Sequence, residues 1–219
     1  MARIKICGLQ SLQDIDAVNQ ALPEYVGFVF AESRRRIDER AAAKLRERLD
    51  SRIKAVGVFV DQSPDFIASL HRQGIIDIVQ LHGDEGLPCA SLLKERCGCK
   101  VIKAIGLSKA MPLGAAAACW SEAADHLLFD TAYTEARAAR QRGGLGEAFD
   151  WGVLKGYCGP PYFLAGGLTL SNVALAIESL APYCVDVSSG VETEGKKDAD
   201  KILEFVQVAR SIGARKADE

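Results

Sequence analysis

The chain has 219 residues with 48% hydrophobic content and a net charge of −2, enough to bury a substantial core as a single domain over residues 1–219, since α/β barrels commonly run to roughly 200–250 residues. The near-neutral balance supplies no basic field for nucleic-acid phosphates, and no apolar run approaches the ~20 residues that cross a bilayer, so neither a nucleic acid nor a membrane is expected as a partner. Seven scattered cysteines, an odd number, and a start without a basic-then-apolar leader point to free thiols in a reducing cytoplasm.

In chain order, near-continuous apolar runs of the kind buried on both faces of a parallel sheet recur at Ile4–Cys7, Tyr25–Phe30, Ile53–Val60, Ile76–Leu81, Lys100–Ile105, Leu127–Asp130, Phe163–Ala165 and Cys184–Val187. Segments with helical period and start signals separate them. Ser11–Gln20 opens on Ser11 with Asp14 three residues on, Asp38–Leu49 on an aspartate, and Ser63–Arg72 on Ser-Pro. Leu87–Cys97, Lys109–Ala124, Asp150–Leu154, Ser171–Leu180 and Ala199–Ile212 follow, and Cys97-Gly98-Cys99 is too tight for zinc and fits a helix-to-strand turn. Eight strands each followed by a helix predict a closed (β/α)8 barrel of the TIM type. An open doubly wound sheet would carry a glycine-rich first turn, and Cys7-Gly8-Leu9-Gln10 lacks it. The long connection from Ala132 to Ala148 exceeds ordinary loop lengths and is expected to act as a lid.

In such a barrel the strands' carboxyl ends carry the active site. Cys7 ends the first strand, where a thiol near Lys5 is expected to have a pKa drawn toward neutrality and to serve as a base or nucleophile. Asp130 ends the sixth, where an apolar wall suits a carboxyl that donates a proton. Gly166-Gly167 after the seventh strand and Ser189-Gly190 after the eighth fit a backbone cradle for phosphate. Ser33-Arg34-Arg35-Arg36 offers an arginine fork for a carboxylate without choosing among the three, and His82 ends the fourth strand as proton carrier or hydrogen-bonding wall. The three histidines have no ligand spacing, so no metal is expected. An aldolase would instead use a strand-borne lysine, Lys5 or Lys103, and a binding barrel without chemistry would have lost its proton carriers.

The motifs Lys5-Ile6-Cys7-Gly8, Val26–Phe30 with Ser33–Ile37, Val56–Val60, Gln80-Leu81-His82-Gly83, Leu128-Phe129-Asp130-Thr131, Gly143-Gly144-Leu145-Gly146 with Phe149-Asp150-Trp151, Leu164–Leu168 and Val185–Glu192 together resemble the phosphoribosylanthranilate isomerase family of tryptophan biosynthesis, in order and over nearly the whole chain. The resemblance implies an Amadori rearrangement without metal or cofactor, with Cys7 as base and Asp130 as acid. It selects Arg35 for the anthranilate carboxylate, assigns phosphate to backbone around Gly166, Gly167, Ser189 and Gly190, and makes His82 and Asp186 walls of the substrate site. It also makes Gly143–Gly146 a closing hinge. Whether the protein is a monomer or a homodimer stays open.

Overall fold

Eight parallel strands close on themselves: β1 (Arg3–Cys7), β2 (Tyr25–Val29), β3 (Lys54–Phe59), β4 (Ile78–Leu81), β5 (Lys100–Gly106), β6 (His126–Asp130), β7 (Tyr162–Ala165) and β8 (Cys184–Val187), with β8 pairing back onto β1. The coordinates are those of a computed structural model, which describes residues 2–106, 113–130 and 151–215. Around the barrel lie α1 (Leu12–Ala21), α2 (Glu39–Arg48), α3 (Pro64–Arg72), α4 (Leu87–Cys97), α5 (Leu113–Trp120), α6 (Val173–Leu180) and α7 (Ala199–Arg215). Among the described residues no helix is long and apolar enough to cross a membrane.

Local chemistry sets the helix ends. Ser11 and Asp14 form a reciprocal capping box on α1, Asp38 accepts from the Ala41 N–H on α2, and Ser63 caps α3 with Pro64 in its first turn. Gly98 ends α4 in the left-handed region, so Cys97-Gly98-Cys99 is indeed the turn from helix into β5.

Strand alternation divides the interior in two. Ile4, Ile6, Phe28, Phe59, Leu81, Phe129 and Leu164 face the helices and form the larger core, while Val56, Ile78, Ile102, Leu128, Phe163 and Cys184 fill the barrel itself. Each fully buried Phe or Leu contributes roughly 1.5–3 kcal/mol. The alternation also turns Lys5, Cys7, Gln80, Asp130 and Asp186 inward, stacking polar groups above the hydrocarbon toward the strands' carboxyl ends.

The structure departs from the sequence reading in two places. Between β6 and β7 the described residues contain a four-residue 3₁₀ turn, Trp151–Leu154, where an α-helix from Asp150 was expected; Gly152 and the nearby Gly156 disfavour a longer helix. A two-residue hairpin after β8, β9 (Glu192–Thr193) with β10 (Lys196–Lys197), was not foreseen. The expected lid from Ala132 to Ala148, with its Gly143–Gly146 hinge, lies outside the described residues.

Candidate active site

The carboxyl ends of the strands open into a cavity of about 340 Å³ whose wall includes Cys7, Arg35, Gln80, His82, Asp130, Gly166, Gly167, Asp186, Ser188 and Ser189. Residues far apart in the chain thus meet at the end of the barrel where the sequence placed them.

Cys7 owes its place to two glycines. Gly8 adopts φ +83°, a conformation few side chains tolerate, so the chain turns away from the thiol. Across the strand pair, a Cβ at Gly27 would stand 2.5 Å from the Cys7 sulfur, so β2 leaves the space the side chain fills. Burial pushes the Cys7 thiol up from its ordinary value; the Lys5 ammonium opposes this without overcoming it. The shift toward neutrality expected from sequence is therefore reversed, because enclosure disfavours the thiolate more than one neighbouring cation favours it.

Lys5 lies directly beneath, completely buried. Its Nζ donates to Asp186 Oδ2 at 2.7 Å, its cross-strand neighbour, and to Gln80 Oε1 at 2.8 Å. Burial pulls its pKa down, but Asp186 and then Cys7 carry it above the usual lysine range, so the amine stays charged. Burial raises the Asp186 carboxyl, with Lys5 opposing; the short contact keeps the pair ammonium and carboxylate at neutral pH. Among the described residues Asp186 Oδ1 is buried with no hydrogen-bond partner, an open acceptor on the cavity wall.

Gln80 links this pair to the other side of the barrel. With its carbonyl taken by Lys5, its Nε2 donates to His82 Nδ1 at 2.9 Å. His82 then carries its proton on Nε2, which faces Asp130 Oδ2 at 3.2 Å. A line of polar contacts therefore runs from Lys5 beneath the thiol, through Gln80 and His82, to the carboxyl on β6.

Of the three arginines, only Arg35 lines the cavity. Arg34 is largely exposed and pairs with Glu192, and Arg36, half-exposed, pairs with Glu32. The glycine pair after β7 has φ +89° at Gly166 and +64° at Gly167, presenting backbone rather than side chain to the cavity. Asn172 ties this loop down, accepting from the Thr169 N–H at 2.8 Å and donating to the Gly167 carbonyl at 2.9 Å. Ser189 lines the cavity, whereas Gly190 packs so closely that a Cβ there would stand 1.9 Å from the Leu168 carbonyl oxygen. Gly190 therefore locks the loop after β8 onto the loop after β7.

The lysine alternative fails on position and charge. Lys103 points away from the cavity, donating to Glu85 at 2.9 Å and to the Gly83 carbonyl at 2.7 Å near the Trp120 ring. Lys5 is held charged, and a Schiff base requires a free neutral amine. Among the described residues no group of three or more His, Cys, Asp or Glu is placed to hold a metal ion.

Residues 4–208 match the family model for N-(5'-phosphoribosyl)anthranilate isomerase. The chain belongs to that family. An N-(5'-phosphoribosyl)anthranilate isomerase from Endomicrobium trichonymphae is 45% identical to it over 212 residues, 97% of this chain and all of the relative. The crystal structure of the Thermotoga maritima phosphoribosyl anthranilate isomerase superposes with a TM-score of 0.83 at 35% identity, covering 96% of this chain and 100% of that one. A phosphoribosyl anthranilate isomerase in complex with reduced 1-(o-carboxyphenylamino)-1-deoxyribulose 5-phosphate gives 0.81 at 33% identity, with the same coverage. Sequence reasoning missed the contacts made by Gly27, Gln80, Asn172 and Glu192. Only Asn172, beside a predicted helix start, carried a local signal.

Proposed function

We propose that the chain isomerises N-(5'-phosphoribosyl)anthranilate to 1-(2-carboxyphenylamino)-1-deoxyribulose 5-phosphate in tryptophan biosynthesis, with Cys7 as general base and Asp130 as general acid. The observation that carries this reading is that the thiol from β1 and the carboxyl from β6 line one cavity, together with Arg35 and the glycine loops after β7 and β8. Family membership supplies the reaction class.

The phosphate sits on the backbone of Gly166, Gly167 and the Ser189-Gly190 turn, the position late-strand loops occupy in phosphate-binding barrels. Arg35 takes the aromatic carboxylate with its planar fork. The ribose then spans the cavity between the two proton carriers. Asp130 gives its proton to the furanose oxygen as the C1–O bond breaks and the anilino nitrogen's lone pair forms a C=N⁺ bond. Cys7 reacts through its thiolate fraction, which enclosure keeps small and the Lys5 ammonium favours; it removes the C2 proton, and those electrons neutralise the iminium to leave an enolamine, which becomes the ketone as a proton moves from the C2 hydroxyl to C1. His82 keeps the Asp130 carboxyl oriented through Nε2, and Asp186 Oδ1 accepts from a sugar hydroxyl.

Turnover followed by decay of substrate fluorescence tests the assignment. Loss of one proton carrier costs about 10²–10⁴-fold, so Cys7→Ala and Asp130→Asn should each fall that far in kcat while remaining folded. Undiminished activity in either variant removes that residue from its role.

A further inference from the structure

We propose that Glu192 is the positioning residue for Arg35, holding its guanidinium in the one orientation that faces the substrate's aromatic carboxylate. The inference rests on the reading of Arg35 given above and adds a residue to it. Glu192 opens the short hairpin after β8. The two linking residues, Glu194 at φ 51° and Gly195 at φ 79°, both have positive φ, as a tight hairpin of this length requires. That turn brings Lys197 directly opposite Glu192.

The Glu192 carboxylate is 5% exposed and gathers three cations. Arg35 donates from Nε at 2.7 Å and from Nη2 at 3.0 Å, Arg34 from Nη2 at 2.7 Å, and Lys197 from Nζ at 2.8 Å. The two bonds from Arg35 engage both carboxylate oxygens and fix the plane of the guanidinium, not merely its distance. Among the described residues Arg35 Nη1 makes no hydrogen bond, so the group keeps donors for a ligand while its free rotation is removed in advance. Gly8 provides the floor of this seat, since a Cβ there would stand 2.4 Å from Arg35 Cδ.

The same cluster reaches the base. Lys197 Nζ also donates to the Ser188 carbonyl at 2.9 Å and to Ser188 Oγ at 3.2 Å, and Ser188 Oγ donates to the Cys7 carbonyl at 2.9 Å. Burial opposes ionisation of Glu192, but the hydrogen bonds from Arg35 and Lys197 hold its pKa down at about 2, so the seat is charged throughout the working range. A surplus of positive charge then surrounds a buried carboxylate at the cavity's edge, which favours an anionic ligand.

The test is steady-state kinetics of wild type, Glu192→Gln, Arg35→Ala and the double variant, on N-(5'-phosphoribosyl)anthranilate and on the aniline analogue that lacks the carboxylate. Glu192→Gln should raise KM about 10- to 100-fold with kcat within threefold, the scale set by displacing a binding group by about an ångström. The double variant should lose no more than Arg35→Ala alone, and the Glu192→Gln defect should shrink to less than threefold on the aniline analogue. Glu192→Asp keeps the charge Lys197 needs but is one methylene short of the two-bond grip on Arg35. It replaces Glu192→Gln in the same cycle if that variant does not fold. Unchanged KM in an active, folded variant, or losses that multiply in the double variant, overturn the proposal alone. A wild-type chain that does not turn over the substrate overturns the parent reading and this one with it.

Discussion

Replacing Lys5 with methionine preserves most of the buried stem and removes the charge, leaving, among the described residues, neither Asp186 carboxylate oxygen paired and Gln80 Oε1 without its donor. Removing one member of a buried ion pair costs about 3–5 kcal/mol, because the remaining charge stays buried without compensation. With an m-value of about 3 kcal/mol/M, the urea midpoint should fall by roughly 1–1.7 M. The pH dependence has a fixed sign. Asp186 already lies above its ordinary value through burial, with Lys5 restraining it, so the variant raises it further. A carboxyl whose folded value is raised favours the native state at low pH and loses that contribution as pH rises through the folded value. The deficit of Lys5→Met should therefore narrow between pH 7 and 5. Combining it with Asp186→Asn should cost about 1–3 kcal/mol less than the two changes summed. Strict additivity, or a single-variant cost below about 1 kcal/mol, would refute the picture of a mutually dependent pair.

Two further outcomes follow from the surroundings of the thiol. Gly27→Ala places a methyl against the Cys7 sulfur and 3.0 Å from its Cα; overpacking of this kind costs about 1–3 kcal/mol, and an ångström's displacement of Sγ should lower kcat by roughly 10²-fold, with thermal melts and kinetics as the checks. Because burial lifts the Cys7 thiol above its ordinary value, its iodoacetamide alkylation, resolved by peptide mass spectrometry, should keep accelerating with pH after that of the exposed Cys119 has levelled off; a plateau at or below the pH where Cys119 levels contradicts the assigned shift.

Much of the architecture was legible because hydrocarbon marks it. The eight runs read as strands all pair in the barrel, and Cys7 and Asp130 stood out as polar residues closing otherwise apolar stretches. Boundaries moved by one or two residues, as at Phe30 and Val60, which lie just beyond the ends of β2 and β3. What the sequence hid depends on convergence. Lys5 looks like an ordinary interruption of β1 until β8 brings Asp186 beside it and β4 supplies Gln80. Glu192 and Lys197 belong to strands of two residues each, too short for any periodicity, and Arg35, the partner of Glu192, lies 157 positions earlier in the chain. Gly27 passes for a spacer in an apolar run until its neighbour proves to be the thiol. The electrostatics were least accessible: Lys5 near Cys7 suggested a lowered pKa, and only the extent of enclosure reverses it.

The seam between the first and last strands has a consequence for how the protein comes into being. Lys5 pairs with Asp186, and the Cys7 carbonyl with Ser188, across 181 positions of chain. Cys7 leaves the ribosome well before the groups that flank it from β8, which follow 181 positions later. Until then the nascent chain carries a lysine and a cysteine whose final neighbours do not yet exist, and loop closure over that span is among the slower routes to a native contact. The surroundings of Cys7 are therefore completed only once β8, the strand that closes the ring, has been made.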